Sequence, residues 1–179
     1  MISHPARQGR VAPTEGTMVT ASNIVIGVSD AKVSGDPDAV LVTYSLGSCI
    51  GVALYDPVVR VGGMLHFQLP TSTLDSTRAR QCPLMFADTG MESLLASMTA
   101  MGAQKKRLKV KLAGAAQILD DGAMFNIGRR NHTAIRKYLW QQAMFVDGED
   151  VGGTEPRTIY LAVADGSVTI KSGKKVAAL

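Results

Sequence analysis

The run from Ala39 to Leu69 constrains the chain most, because it reads as three strands in close succession. Ala39 to Tyr44 (AVLVTY) is apolar and rich in β-branched residues, which suit a pleated, half-buried surface. Ser45-Leu46-Gly47-Ser48-Cys49 breaks it, Ile50 to Tyr55 resumes the extended pattern, and Asp56-Pro57 turns the chain. Val61 to Leu69 runs back, and Pro70 stops it. Alternation sorts the two returning strands into faces. Ile50, Val52 and Leu54 share one with Val61, Gly63, Leu65, Phe67 and Leu69. Cys49, Gly51, Ala53, Gly62, Met64 and His66 share the other. A hairpin turning between Pro57 and Val58 would set Cys49 directly across from His66, with Cβ atoms about 4.5–5.5 Å apart. The small residues beside them are read as room for a substrate.

Around this block the pattern predicts one α+β domain, an α/β sandwich with helices packed on a largely antiparallel sheet. Asn23 to Val28 opens it as a β-rich segment, and Gly35-Asp36-Pro37-Asp38 is a turn. A polar connection fills Pro70 to Pro83. A helix follows over Thr89–Met101, with Thr89 and Glu92 at capping-box spacing, an apolar stripe of Leu94, Leu95, Met98 and Met101, and Gly102 as its stop. Arg107 to Leu112 alternates as a strand with Lys109 and Lys111 outward. A second helix spans Ile127–Gln142, carrying Ile135 and Leu139 on one face. Thr158–Val163 and Ser167–Lys171 are strands joined through Asp165-Gly166, a strong hairpin signal. Residues 1–20 read as a flexible tail, 21–172 as the domain, and 173–179 as a C-terminal tail.

Composition excludes several classes. Nineteen Lys and Arg against fifteen Asp and Glu leave a net charge of only +4, too small and scattered for a nucleic-acid surface. No apolar run is long enough to span a bilayer and no secretory h-region opens the chain, so the expectation is a cytoplasmic protein without membrane insertion. Two cysteines, Cys49 and Cys82, form no Cys-x-x-Cys pair, so a structural zinc site is not expected. Cys82 has no histidine near it in sequence and is read as structural. His4 falls in the tail, His132 at a helix start is read as capping or surface, and Asn131 as structural. Asp147, Glu149 and Asp150 lack calcium-loop spacing and read as solvated acids.

The chemistry expected of Cys49 and His66 follows from the thiol. A free thiol has a pKa of about 8.5, so little is thiolate at neutral pH. A neighbouring imidazole takes the proton and holds a thiolate–imidazolium pair. The thiolate attacks an amide carbon, the imidazolium protonates the leaving nitrogen, and His66 then activates water against the thioester. The bend before Cys49 offers backbone N–H groups at Gly47 and Ser48 to the oxyanion. Thr43, on the strand before the bend, is placed to orient the far ring nitrogen of His66. The alternative is a buried cysteine and a satisfied histidine meeting by chance. The pattern alone does not separate amidase, peptidase and thiol sensor.

Leu46 to Pro57 (LGSCIGVALYDP) resembles the signature of the CheD chemoreceptor glutamine deamidases, and Gly62 to Pro70 (GGMLHFQLP) is similar to the segment that follows it there. The family's nucleophile falls on Cys49, its histidine on His66 and its threonine on Thr43. Lys111 to Ala116, Ile127-Gly-Arg-Arg-Asn131 and Asp150-Val-Gly-Gly153 with Arg157 are similar to later family blocks, so the resemblance covers about residues 22–172. It implies a place near the site for Asn131, otherwise read as an N-cap or structural residue, and Arg157 is read as shaping the mouth of the site. Ala115 departs from it where a second Gly is usual, as do Gln117 and Ile118. The resemblance implies glutamine side chains on the cytoplasmic helical bundle of chemoreceptors as substrate, and glutamate and ammonia as products. It also implies a CheC-like phosphatase as partner, no metal or organic cofactor, and a fold related to cytotoxic-necrotizing-factor catalytic domains. A regulatory module that docks the phosphatase, with deamidation secondary or lost, is the competing reading.

Overall fold

A computed structural model of the protein describes residues 22–117 and 126–179. The expected N-terminal tail, with His4, lies outside them, as does Ile118. In chain order the described elements are β1 (Ser22–Val25), β2 (Asp30–Ser34), β3 (Ala39–Leu46), β4 (Ile50–Asp56), β5 (Val61–Phe67), α1 (Ser76–Gln81), α2 (Ala87–Ala100), β6 (Lys109–Gly114), α3 (Ile127–Gln141), β7 (Gly148–Val151), β8 (Arg157–Ala162), β9 (Val168–Ser172) and β10 (Lys175–Ala178). Two five-stranded sheets result, ordered β1-β3-β8-β9-β10 and β2-β5-β4-β6-β7. Pairing is antiparallel except between β1 and β3 and between β6 and β7.

The layers follow from the alternation. Ile50, Val52, Leu54, Val61, Leu65 and Phe67 form one core with Met91, Leu94 and Met98 of α2 and Ile135 and Leu139 of α3. Ala53 and Met64, on the opposite face, join Leu41, Leu46, Ile159, Leu161 and Ile170 of the other sheet in a second core. The molecule is therefore sheet on sheet, with helices covering the outer face of the β2-β5-β4-β6-β7 sheet. The expected single sheet is two, because the face read as open is packed against a second sheet.

The β4–β5 register differs from the tight hairpin expected. Gly51 pairs with His66, Ala53 with Met64 and Asp56 with Val61, so Cys49 does not stand opposite His66. The turn is the four-residue loop Pro57–Arg60. Asp56 closes it by accepting from the Val58 and Val59 N–H groups, and Arg60 adopts a left-handed φ of +53°. Burial pushes the Asp56 carboxyl up, but Arg107 and the N–H groups of Gln104, Val58 and Val59 outweigh it and hold it at about 2. The offset from the expected pairing is two residues, an even number, so both faces keep the membership that alternation assigned.

Other boundaries also move. The first long helix starts at Ala87, behind Phe86, without a side-chain cap. The Thr89–Glu92 box does not form, because the Thr89 hydroxyl donates to the Pro83 carbonyl. Gly102 ends this helix region at a φ of +87°, as its position predicts. The polar connection contains α1. The C-terminal segment is not a tail: β10 pairs antiparallel with β9. Among the described residues no helix is long and apolar enough to cross a membrane.

Candidate active site

Thr43 and His66 come from different sheets and meet in the core between them, at 0% and 2% exposure. Thr43 Oγ1 lies 2.8 Å from His66 Nδ1 and 2.8 Å from the Ile26 carbonyl. The carbonyl can only accept, so it takes the single hydroxyl proton. The hydroxyl oxygen must then accept from Nδ1–H. This fixes the tautomer and leaves Nε2 with a free lone pair. Nε2 is buried and has no hydrogen-bond partner among the described residues. Burial lowers the His66 pKa to about 4, so the ring is neutral at pH 7.

Gly51, the cross-strand partner of His66, makes this meeting possible. A Cβ there would come within 2.9 Å of Leu46 Cδ1, 3.1 Å of Ile159 Cγ2 and 3.3 Å of Thr43 Cγ2. Gly62 is filled likewise, by Leu161, Val163 and Leu41. The small residues therefore do not hold space for a substrate, as the sequence suggested. They let the second sheet approach closely enough for Thr43 to reach the imidazole.

Cys49 lies just before β4, partly exposed, and packs against the same inter-sheet core. It is diagonal to His66 rather than opposite, and its thiol makes no hydrogen bond to Nε2 in this structure. Burial pushes the thiol pKa up, partly offset by its own backbone N–H. With the imidazole lowered and the thiol raised, the resting pair is neutral. Burial thus works against the thiolate–imidazolium pair expected from sequence.

The backbone around the thiol is held by its carbonyls. Gly47 accepts from the Ala116 N–H at 2.7 Å, Cys49 from the Ala115 N–H at 2.8 Å, and Ser48 from Asn131 Nδ2 at 2.9 Å. Gly114, at a φ of +116°, packs against the Cys49 carbonyl where no Cβ fits. Among the described residues the Gly47 and Ser48 N–H groups donate to no backbone carbonyl. Ala115 has a φ of +54°, a left-handed conformation that glycine adopts more easily.

Several flanking residues find partners that sequence reasoning missed. Asn131 is fully buried and donates to both Ser48 and Gln68 carbonyls, while its Oδ1 has no partner among the described residues. Leaving such an acceptor unpaired costs about 1–3 kcal/mol. A polar residue one turn before Ile135 and two before Leu139, on the helix's buried face, was the available signal. The helix cap is Asn126. His132 pairs with Glu149 at 3.0 Å, Asp147 with Lys109 and Asp150 with Arg157, so the three acids are partnered rather than merely solvated. Arg157 also binds the Gly152 and Glu155 carbonyls, shaping the loop whose Gly153 carbonyl accepts from the Gln117 N–H. Cys82 is exposed at the end of α1 and has no place in the core.

Comparison with known proteins places these residues in a family. The family model described as CheD chemotactic sensory transduction matches residues 68–172. A probable chemoreceptor glutamine deamidase CheD of Solibacter usitatus is 45% identical over 152 residues, covering 85% of this chain and 90% of its own. The chain belongs to the CheD family. A second CheD relative, from Anaeromyxobacter dehalogenans, is 48% identical over 158 residues, 88% of this chain and 99% of its own. A third, from Syntrophus aciditrophicus, is 47% identical over 150 residues, 84% of this chain and 94% of its own. The CheD model match begins at Gln68, so Asn131 and Arg157 fall inside it, whereas Thr43, Cys49 and His66 precede it.

Proposed function

We propose that this chain is a cysteine-dependent protein-glutamine deamidase of chemoreceptors, with Cys49 as nucleophile, His66 as base and Thr43 as the residue that orients it. The observation that carries the chemistry is the pair of 2.8 Å contacts of the Thr43 hydroxyl, to the Ile26 carbonyl and to His66 Nδ1. They hold Nε2 as an unprotonated acceptor in the core against which the thiol packs. The relatives' name, chemoreceptor glutamine deamidase, supplies the substrate class.

In this reading a glutamine carboxamide enters beside Cys49, and the thiol closes on Nε2, a contact that resting enzymes often lack. Nε2 takes the thiol proton as sulfur bonds to the carboxamide carbon. The carbonyl electron pair moves to oxygen, where the Gly47 and Ser48 N–H groups can meet it. The intermediate collapses as the imidazolium returns its proton to the departing nitrogen, releasing ammonia and leaving a thioester. Water, deprotonated by Nε2, then attacks the thioester and yields glutamate and free thiol. Thr43 accepts from Nδ1–H throughout, so the ring gains and loses its proton only at Nε2.

A CheC-like phosphatase partner and kinship with cytotoxic-necrotizing-factor catalytic domains remain part of the proposal. Gly51 and Gly62 face the opposing sheet and Ala53 is packed in the inter-sheet core, so the small-residue face offers a partner no docking surface. The test is to incubate the protein with glutamine-bearing chemoreceptor fragments and read their mass. Covalent amide hydrolysis at a side chain adds about one dalton per site and leaves the chain whole. Cleaved fragments, or unchanged mass across a panel of receptor fragments with folded protein, would reject the reading.

A further inference from the structure

We infer that Asn131 is a positioning residue for the Cys49–His66 pair: its side-chain amide replaces the rung missing between the ends of β4 and β5, and so sets how far the thiol stands from the imidazole. The inference deepens the deamidase reading and rests on it for the kinetic part of its test. The β4–β5 ladder ends at Ile50 and Phe67. At the next position, Cys49 and Gln68, alternation already points the polar groups away from this seam. The next hydrogen-bonded rung would join Ser48 with Leu69, but the Leu69 N–H donates to the Met85 carbonyl instead. The strands part at the nucleophile. Asn131 fills that gap from α3, with Nδ2 2.9 Å from the Ser48 carbonyl and 2.7 Å from the Gln68 carbonyl.

One of those carbonyls belongs to the residue before the nucleophile, and the other lies two residues after the base. The amide therefore ties the two strand ends whose separation decides whether sulfur reaches Nε2. Its chemistry fits nothing simpler. Two N–H donors on one short stem serve two acceptors, whereas a carboxylate would face both carbonyls with like charge and an alkyl group would leave both unpaired. The fully buried side chain keeps this arrangement although its own Oδ1 goes without a partner among the described residues. A buried acceptor left unpaired calls for a reason, and holding the two strand ends supplies one.

The test starts from Cys82→Ser, which leaves Cys49 as the single thiol. The rate of Cys49 alkylation by iodoacetamide is measured against pH in this background, with His66→Ala, Asn131→Ala and Asn131→Asp added in turn. The inference expects a limb of the profile that depends on His66 and is lost in both Asn131 variants. It also expects kcat on a glutamine-bearing receptor fragment to fall about 10- to 100-fold with KM unchanged, the signature of misplaced reacting groups. A folded Asn131 variant with the parent alkylation profile and kcat would overturn it. Should neither variant fold, the parent protein decides by ¹⁵N NMR. Slow exchange of the Asn131 Nδ2 protons and a shift on Cys49 alkylation support the staple, and free-amide exchange without a shift rejects it. No ammonia release by the parent, with alkylation still dependent on Asn131, would reject the deamidase reading and leave this inference standing.

Discussion

On one face of the β4–β5 hairpin, Ile50, Val52, Leu54, Leu65 and Phe67 pack against α2 and α3. On the other, Gly51 and His66 meet Thr43, Leu46 and Ile159 of the opposing sheet, with Cys49 at the margin. The first face is all hydrocarbon, and its burial stabilises the fold by about 1.5–3 kcal/mol for each large side chain. The second gives up side-chain volume at glycine and buries polar atoms, one of them, His66 Nε2, without a partner among the described residues. The same two strands thus hold the molecule together on one side and bring His66 to Thr43 on the other, with Cys49 at the edge.

Substitutions that act on one face alone sharpen this contrast. Leu65→Ala, on the helix side, is expected to cost 2–5 kcal/mol in denaturant titrations, the usual range for a large-to-small core change. Activity per folded molecule should stay near that of the parent. A loss of turnover beyond the loss of folded protein would mean that the faces are not separate.

The His66 face should reveal itself in acid. A folded pKa of about 4, set by burial, lies below the unfolded value of about 6.5, so between those limits the unfolded chain binds more protons. Stability is therefore full above about pH 6.5 and falls, by at most about 3 kcal/mol, as pH drops towards 4. Asp56, held at about 2, contributes its loss only below that window. Denaturation at stepped pH should show the slope in the parent and lose it in His66→Gln. An identical slope in both would place the titration elsewhere.

Gly51→Ala adds one methyl group where the sheets touch. Overpacking of this kind costs about 1–3 kcal/mol, and here it should also lower activity by separating Thr43 from His66. Full activity in a stable Gly51→Ala protein would show that sheet spacing does not align the pair. Thr43→Val keeps shape and removes the hydroxyl. The expected loss is about tenfold in kcat, roughly 1.4 kcal/mol, because the ring stays but its tautomer is no longer imposed. Unchanged turnover in folded Thr43→Val would remove the orienting role.

How much of this could be read from sequence follows from which signals survive a shift in register. The faces of β4 and β5 were legible because alternation is indifferent to an offset of two. The direct Cys49–His66 pairing was not, because turn length was inferred from Asp56-Pro57, while the side chain of Asp56 closes a longer loop. Thr43 was found through its place before the bend and its match to the family pattern. Its partner Ile26 was not, since a carbonyl has no residue signature. Gly51 and Gly62 looked like open space because a sequence cannot say that a second sheet lies over them. Asn131 was read as structural, and its bridge between strand ends needed the positions of Ser48 and Gln68 to be visible. The C-terminal strand β10 escaped notice because all four of its residues are exposed and its sequence carries no alternation.

The most direct test of the central claim is ammonia release by Cys49→Ala on a glutamine-bearing receptor fragment, with folding verified by circular dichroism and thermal melting. Cys49 sits at the margin of the inter-sheet core, so its replacement by alanine should leave the fold intact. The account predicts no release above background, since a methyl group forms no thioester. Turnover retained by folded Cys49→Ala would contradict it.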